Sequence, residues 1–89
     1  MQMILLVCST GYGYEQESFE EVPGPVGSSK ACMLFCRASQ HPCQAWEYDS
    51  DKKKCRHFIR DAVHMKTRMT NDSFVFGPKD CTFSTSNYI

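Results

Sequence analysis

Six cysteines in a chain of 89 residues limit what this sequence can fold into more than any other feature. Cys8, Cys32, Cys36, Cys43, Cys55 and Cys81 form an even set, the usual mark of an oxidised, extracellular scaffold. A domain of this size buries only about two thirds of its chain surface, so a core alone gives a thin margin and cross-links are expected to widen it. Zinc is the rival use of such residues, with His41, His57 and His64 at hand. Structural zinc sites mostly present ligands in close pairs, however, and only Cys32 and Cys36 approach that spacing. The expectation is three disulfides, no metal and no cofactor.

The start, Met1 to Val7, is apolar but has no basic flank, and the run is too short for a signal-peptide core or a membrane span. Residues 1–7 therefore read as a linker or an expression-derived start. The chain is expected to be one domain cut from a longer secreted or surface protein, with nothing that inserts it directly into a membrane. Its 10 basic and 10 acidic side chains cancel, yet they are unevenly spread. Residues 1–51 carry seven acids against Lys30 and Arg37, and residues 52–89 carry eight bases against three acids. Such asymmetry permits a polyanion-binding face. Overall neutrality and an extracellular destination argue against nucleic acid as a partner.

Gly11-Tyr12-Gly13-Tyr14, the acids that follow and Pro23-Gly24-Pro25 predict an irregular arm with one short strand. Ser28-Ser29 offers a helix N-cap, and Ala31, Leu34, Phe35 and Ala38 recur at helical spacing, predicting an amphipathic helix over 30–40 closed by His41-Pro42. On it Cys32 and Cys36 share a face and should bond outward rather than to each other. Gln44 to Tyr48 alternates, placing Trp46 and Tyr48 on one side of a strand, and Lys54 to Ile59 is its antiparallel partner across an Asp49-Ser50-Asp51 turn. Residues 60–72 show no period and read as a loop. Ser73 to Phe76 is a strand ended by Gly77-Pro78, Cys81 to Phe83 a last short strand, and the rest of 82–89 a tail.

The run Cys32-x3-Cys36-x6-Cys43-x2-Trp46-x-Tyr48-x6-Cys55 resembles the central motif of PAN/apple domains. Cys8 with Tyr12 or Tyr14 after it, and Phe76-Gly77-Pro78-Lys79-x-Cys81, resemble that family's opening and closing segments, so the likeness spans residues 8–81. The Gly-Pro-Lys-x-Cys ending is more like the apple repeats of microneme adhesins from coccidian parasites than those of blood-clotting zymogens. The resemblance implies an α+β, disulfide-rich fold with one helix packed on an antiparallel sheet. It also implies the pairs Cys8–Cys81, Cys32–Cys55 and Cys36–Cys43, where sequence alone leaves fifteen pairings open for six cysteines.

A catalytic site needs a nucleophile, a base and an orienting group together, and no such motif accompanies the Ser, His and Asp residues present, so no enzyme is expected. Trp46 and Tyr48 read as core. Tyr12 and Tyr14, set between glycines in a polar arm, are the better candidates for ligand contact. Lys52, Lys53, Lys54 and Arg56 form the densest basic cluster and are the candidate site for a sulfated glycan such as heparin, an interaction that would weaken with salt. Asn71-Asp72-Ser73 is an N-glycosylation sequon. The resulting expectation is a non-catalytic adhesion module, secreted or surface-exposed and stored in a secretory organelle such as the microneme. It would be one repeat among other domains of its parent chain and would recognise a host-cell carbohydrate or protein. The alternative is an apple module of a secreted protease or growth factor that binds a protein cofactor or heparin.

Overall fold

A computed structural model describes residues 7–15 and 18–83. Strands β1 (Ser9–Thr10), β2 (Tyr12–Tyr14) and β3 (Glu20–Glu21) precede helix α1 (Ser29–Ala38). Then come β4 (Ala45–Asp49), β5 (Lys54–Phe58), β6 (Thr67–Met69) and β7 (Phe74–Pro78). Five strands form an antiparallel sheet in the order β1-β7-β4-β5-β3, and β2 pairs with β6 in a separate two-stranded sheet. The expected α+β architecture, one helix on an antiparallel sheet with three disulfides, is the observed one.

Helix α1 starts where the sequence places it. The Ser28 side chain accepts a hydrogen bond from the Ala31 N–H at 3.1 Å, a cap worth about 1 kcal/mol. The face it buries differs from the expected one. Cys32, Met33 and Cys36 turn inward, while Leu34 and Phe35 are 46% and 49% exposed. Two covalent bridges set this rotation: Cys32–Cys55 ties the helix to β5, and Cys36–Cys43 ties it to the segment entering β4. At the helix end Arg37 donates to the carbonyls of Lys79 and Cys81, fastening α1 to the closing segment. The third bridge, Cys8–Cys81, closes a separation of 73 residues, and the three pairs are those the resemblance implies.

Alternation along β4 divides the interior. Trp46 and Tyr48 face the helix among the disulfides, Val26 and Met33; Trp46 is 0% exposed, and the Tyr48 hydroxyl donates to the Val26 carbonyl. Ala45 faces the other way, into a second cluster with Tyr14, Phe58 and Met65 that the β2–β6 pair covers.

Four expectations about strands and loops are corrected. The arm holds two short strands, β2 and β3, rather than one, and β1 stands just before it, each paired through its backbone to a distant segment. The presumed loop 60–72 contains a 3-10 turn at Ala62–His64 and strand β6, whose exposed side chains carry no apolar alternation. Strand β7 continues through Gly77 to Pro78, which stand opposite Trp46 and Ala45 of β4, and Gly77 passes so near the last disulfide that a Cβ there would overlap the Cys81 sulfur. The last short strand reduces to one parallel bridge between Val7 and Thr82. Residues 1–6 and 84–89, the bulk of the presumed start and tail, lie outside the described residues.

Candidate functional site

Strand β3 is an edge of the main sheet, and beside it the chain leaves α1 through His41-Pro42 and leaves β5 at Ile59. Together these segments shape an open groove of about 330 Å³ lined by the apolar Phe19, Pro42 and Ile59 and by Glu20, His41 and His57. Ile59 is 68% exposed. A second depression of about 480 Å³ continues between Phe35 and Ala38 of α1 and Val22-Pro23, sharing Glu20, His41 and His57 with the first. Phe19 is held edge-on to Phe58 with centroids 6.1 Å apart, and the Arg56 guanidinium lies 5.0 Å from its ring centre on the sheet's other side. Among the described residues, Glu20 and Glu21 are the carboxylates of the lining, which holds no lysine or arginine. Exposed apolar side chains gathered into one rimmed groove mark an interaction surface, where scattered ones would not.

His57 forms the groove's inner wall. Its Nε2 lies 3.3 Å from the Cys32 carbonyl oxygen, which can only accept, so Nε2 carries the proton. Burial pushes its pKa below the ordinary histidine value, against the opposing pull of the Cys32 carbonyl and Glu20. Cys32 Sγ, Cys55 Sγ and the His57 ring nitrogen lie within 4.8 Å of one another, a spacing that would suit a metal. The two sulfurs are joined to each other, so they offer no thiolates to a cation.

The residues singled out from the sequence fall elsewhere. Tyr12 is 43% exposed, with its ring 6.5 Å from Phe76. Tyr14 is corrected: it is 2% exposed and packs edge-on against Phe76 and Phe58 at 4.8 and 5.2 Å. Gly13 is the reason. A Cβ there would overlap a Glu47 carboxylate oxygen, so only glycine lets β2 lie close enough for the Tyr14 N–H to donate to Glu47 at 3.2 Å. The Tyr14 phenol is buried with no hydrogen-bond partner among the described residues, and burial, then Glu47 and Asp61, drive its pKa well above the usual phenol range.

The four side chains of the basic cluster have different surroundings. Lys52 and Lys53 stand exposed in the β4–β5 turn, Lys53 with a left-handed φ of 55°. Lys54 pairs with Glu21 at 3.4 Å. Arg56 is turned onto Glu47, 3.4 Å away and buried between the two sheets. Four cations reduce to two free of ion pairs among the described residues. The groove residues were missed because Phe35 has helical spacing that suggests core, while Phe19 and Ile59 lie at element ends where no period points to them.

Among the described residues no helix is long and apolar enough to cross a membrane. No curated protein matches the sequence. The family model of the PAN domain matches residues 8–81, which include all six cysteines and every strand and helix described above. PAN domains are adhesion and protein-binding modules, generally non-catalytic, and a disulfide-rich one fits an extracellular or secreted protein. With nearly the whole chain covered, and the helix, sheet and disulfide framework in place, this chain belongs to the PAN domain family.

Proposed function

We propose that this domain is a non-catalytic adhesion module that holds a host-cell carbohydrate or a partner protein in the groove between β3 and the end of α1, as one repeat of a microneme-type adhesin. The observation that carries the reading is the groove's composition. The apolar lining of Phe19, Pro42 and Ile59 suits the C–H face of a sugar or an apolar side chain, and Glu20 and His41 beside it offer hydrogen bonds to hydroxyls or amides. The Gly77-Pro78-Lys79-Asp80-Cys81 ending supports the adhesin assignment. A second reading, a module of a secreted protease or growth factor that binds heparin, is supported by Lys52 and Lys53, which are exposed and in no ion pair among the described residues. It is weakened by the engagement of Lys54 and Arg56.

Glycan-array and cell-surface binding by the oxidised domain test the two. Ile59→Asp and Glu20→Lys, both at exposed positions, are expected to abolish binding while leaving the fold intact. Lys52→Ala/Lys53→Ala is expected to leave it unchanged. The reverse pattern would move the site to the basic turn.

A further inference from the structure

The sequon Asn71-Asp72-Ser73 lies in the turn between β6 and β7, away from the groove. Asn71 is exposed, and its side-chain carbonyl accepts hydrogen bonds from both the Ser73 N–H, at 2.9 Å, and the Ser73 hydroxyl. That leaves the Asn71 amide nitrogen outside the hydrogen bonds of the described residues. The same turn is fastened to the β4–β5 turn. The Ser73 hydroxyl lies 3.3 Å from Asp49 Oδ1, the Ser50 N–H donates to the Ser73 carbonyl at 2.9 Å, and Asp49 Oδ1 also accepts from the Asp51 N–H at 3.0 Å. One carboxylate thus holds the sequon and the Lys52–Lys53 turn together at one end of the sheet.

We propose that Asn71 is an N-glycosylation acceptor and that its glycan stands over the Lys52–Lys53 turn. In the transfer, the Asn71 amide nitrogen bonds to the anomeric carbon of a lipid-diphosphate-linked oligosaccharide. The bond from that carbon to the diphosphate breaks, the lipid diphosphate leaves, and the amide proton passes to the transferase's base. A glycan is bulky and hydrated, so on an exposed turn it costs the fold nothing while restricting access to its neighbours. The groove, at the opposite end of β4 and β5, stays open.

The test is secretion of the full chain from a eukaryotic host, followed by intact mass and peptide mapping before and after peptide-N-glycosidase. The expected result is an oligosaccharide on Asn71, released with conversion of that residue to aspartate. Asn71→Gln and Ser73→Ala should lose it, and Ser73→Thr, which keeps the hydroxyl, should retain it. Trypsin cleavage after Lys52 and Lys53 should be several-fold slower in the glycosylated protein than in the same protein trimmed to a single sugar. An unmodified Asn71 in secreted, fully oxidised protein, from cells that modify a co-expressed control sequon, would overturn the assignment. Equal trypsin rates would overturn the placement of the glycan over the turn.

Discussion

Arg56 separates a binding role from a structural one. Glu47 sits on the central strand with its side chain 2% exposed, and among the described residues its carboxylate has two donors, the Tyr14 N–H at 3.2 Å and the Arg56 guanidinium at 3.4 Å. Arg56→Ala leaves a carboxylate between two sheets with one neutral donor. Deleting one partner of a buried pair costs about 3 to 5 kcal/mol. Water reaches Arg56, whose side chain is 23% exposed, and this places the cost near the lower end. Loss of the guanidinium from the Phe19 ring adds about 0.5 to 1 kcal/mol. The expected loss is therefore about 3 to 4 kcal/mol, a large share of the roughly 5 to 10 kcal/mol of a small domain. Urea denaturation of the oxidised protein, followed by circular dichroism, measures it. The Glu47→Ala/Arg56→Ala double variant should lose far less than the sum of the single losses, because the two groups touch. A loss below about 1 kcal/mol for Arg56→Ala, together with reduced heparin retention, would show Arg56 to be a surface binding charge and refute the argument.

Three further outcomes follow from the same packing. Trp46→Ala should cost about 3 to 5 kcal/mol in the same denaturation assay, since the indole is 0% exposed among the disulfides. His57 takes up a proton less readily folded than unfolded, so stability should be full above pH 6.5, the ordinary histidine value, and fall as pH drops through it toward the lower folded value. Thermal melts across pH should show that decline, and His57→Gln should flatten it. Gly77→Ala, whose new methyl meets the Cys81 side chain and stands 3.4 Å from Cys8 Cα, should lower stability by about 1 to 3 kcal/mol, with a free-thiol assay reporting incomplete closure of Cys8–Cys81.

The parts of the fold legible in the sequence are those whose local chemistry agrees with their tertiary role. Ser28 caps the helix it precedes, and Trp46 and Tyr48 alternate into the core from a strand that pairs with its sequence neighbour. Strand β6 was hidden because Thr67-Arg68-Met69 is exposed at every residue and held by backbone pairing to β2, more than fifty residues away. Tyr14 was misjudged for a related reason. Gly13 reads locally as a flexible spacer, and only the approach of Glu47 from β4 makes it the point of closest contact. The basic cluster failed on register: Arg56 stands opposite Glu47 across the hairpin, so strand pairing rather than composition decided which cations remained at the surface. The groove arises where the segments flanking β3, α1 and β5 meet at a sheet edge, a property of topology that no window of sequence contains.

The parallel bridge between Val7 and Thr82 and the disulfide beside it bear on how the domain responds to force. The incoming and outgoing segments run side by side in the same direction, so tension applied to the flanking chain shears them past each other. That load crosses from Cys8 to Cys81, whose Cα atoms are 5.2 Å apart, and bypasses everything in between. The 73 residues of the loop, which could otherwise pay out about 250 Å of extended chain, hang off the line of pull like a bead on a wire. Helix, sheets and groove would keep their shape at forces that unravel an unbridged domain, until a reductant cuts that one bond and makes the whole length available.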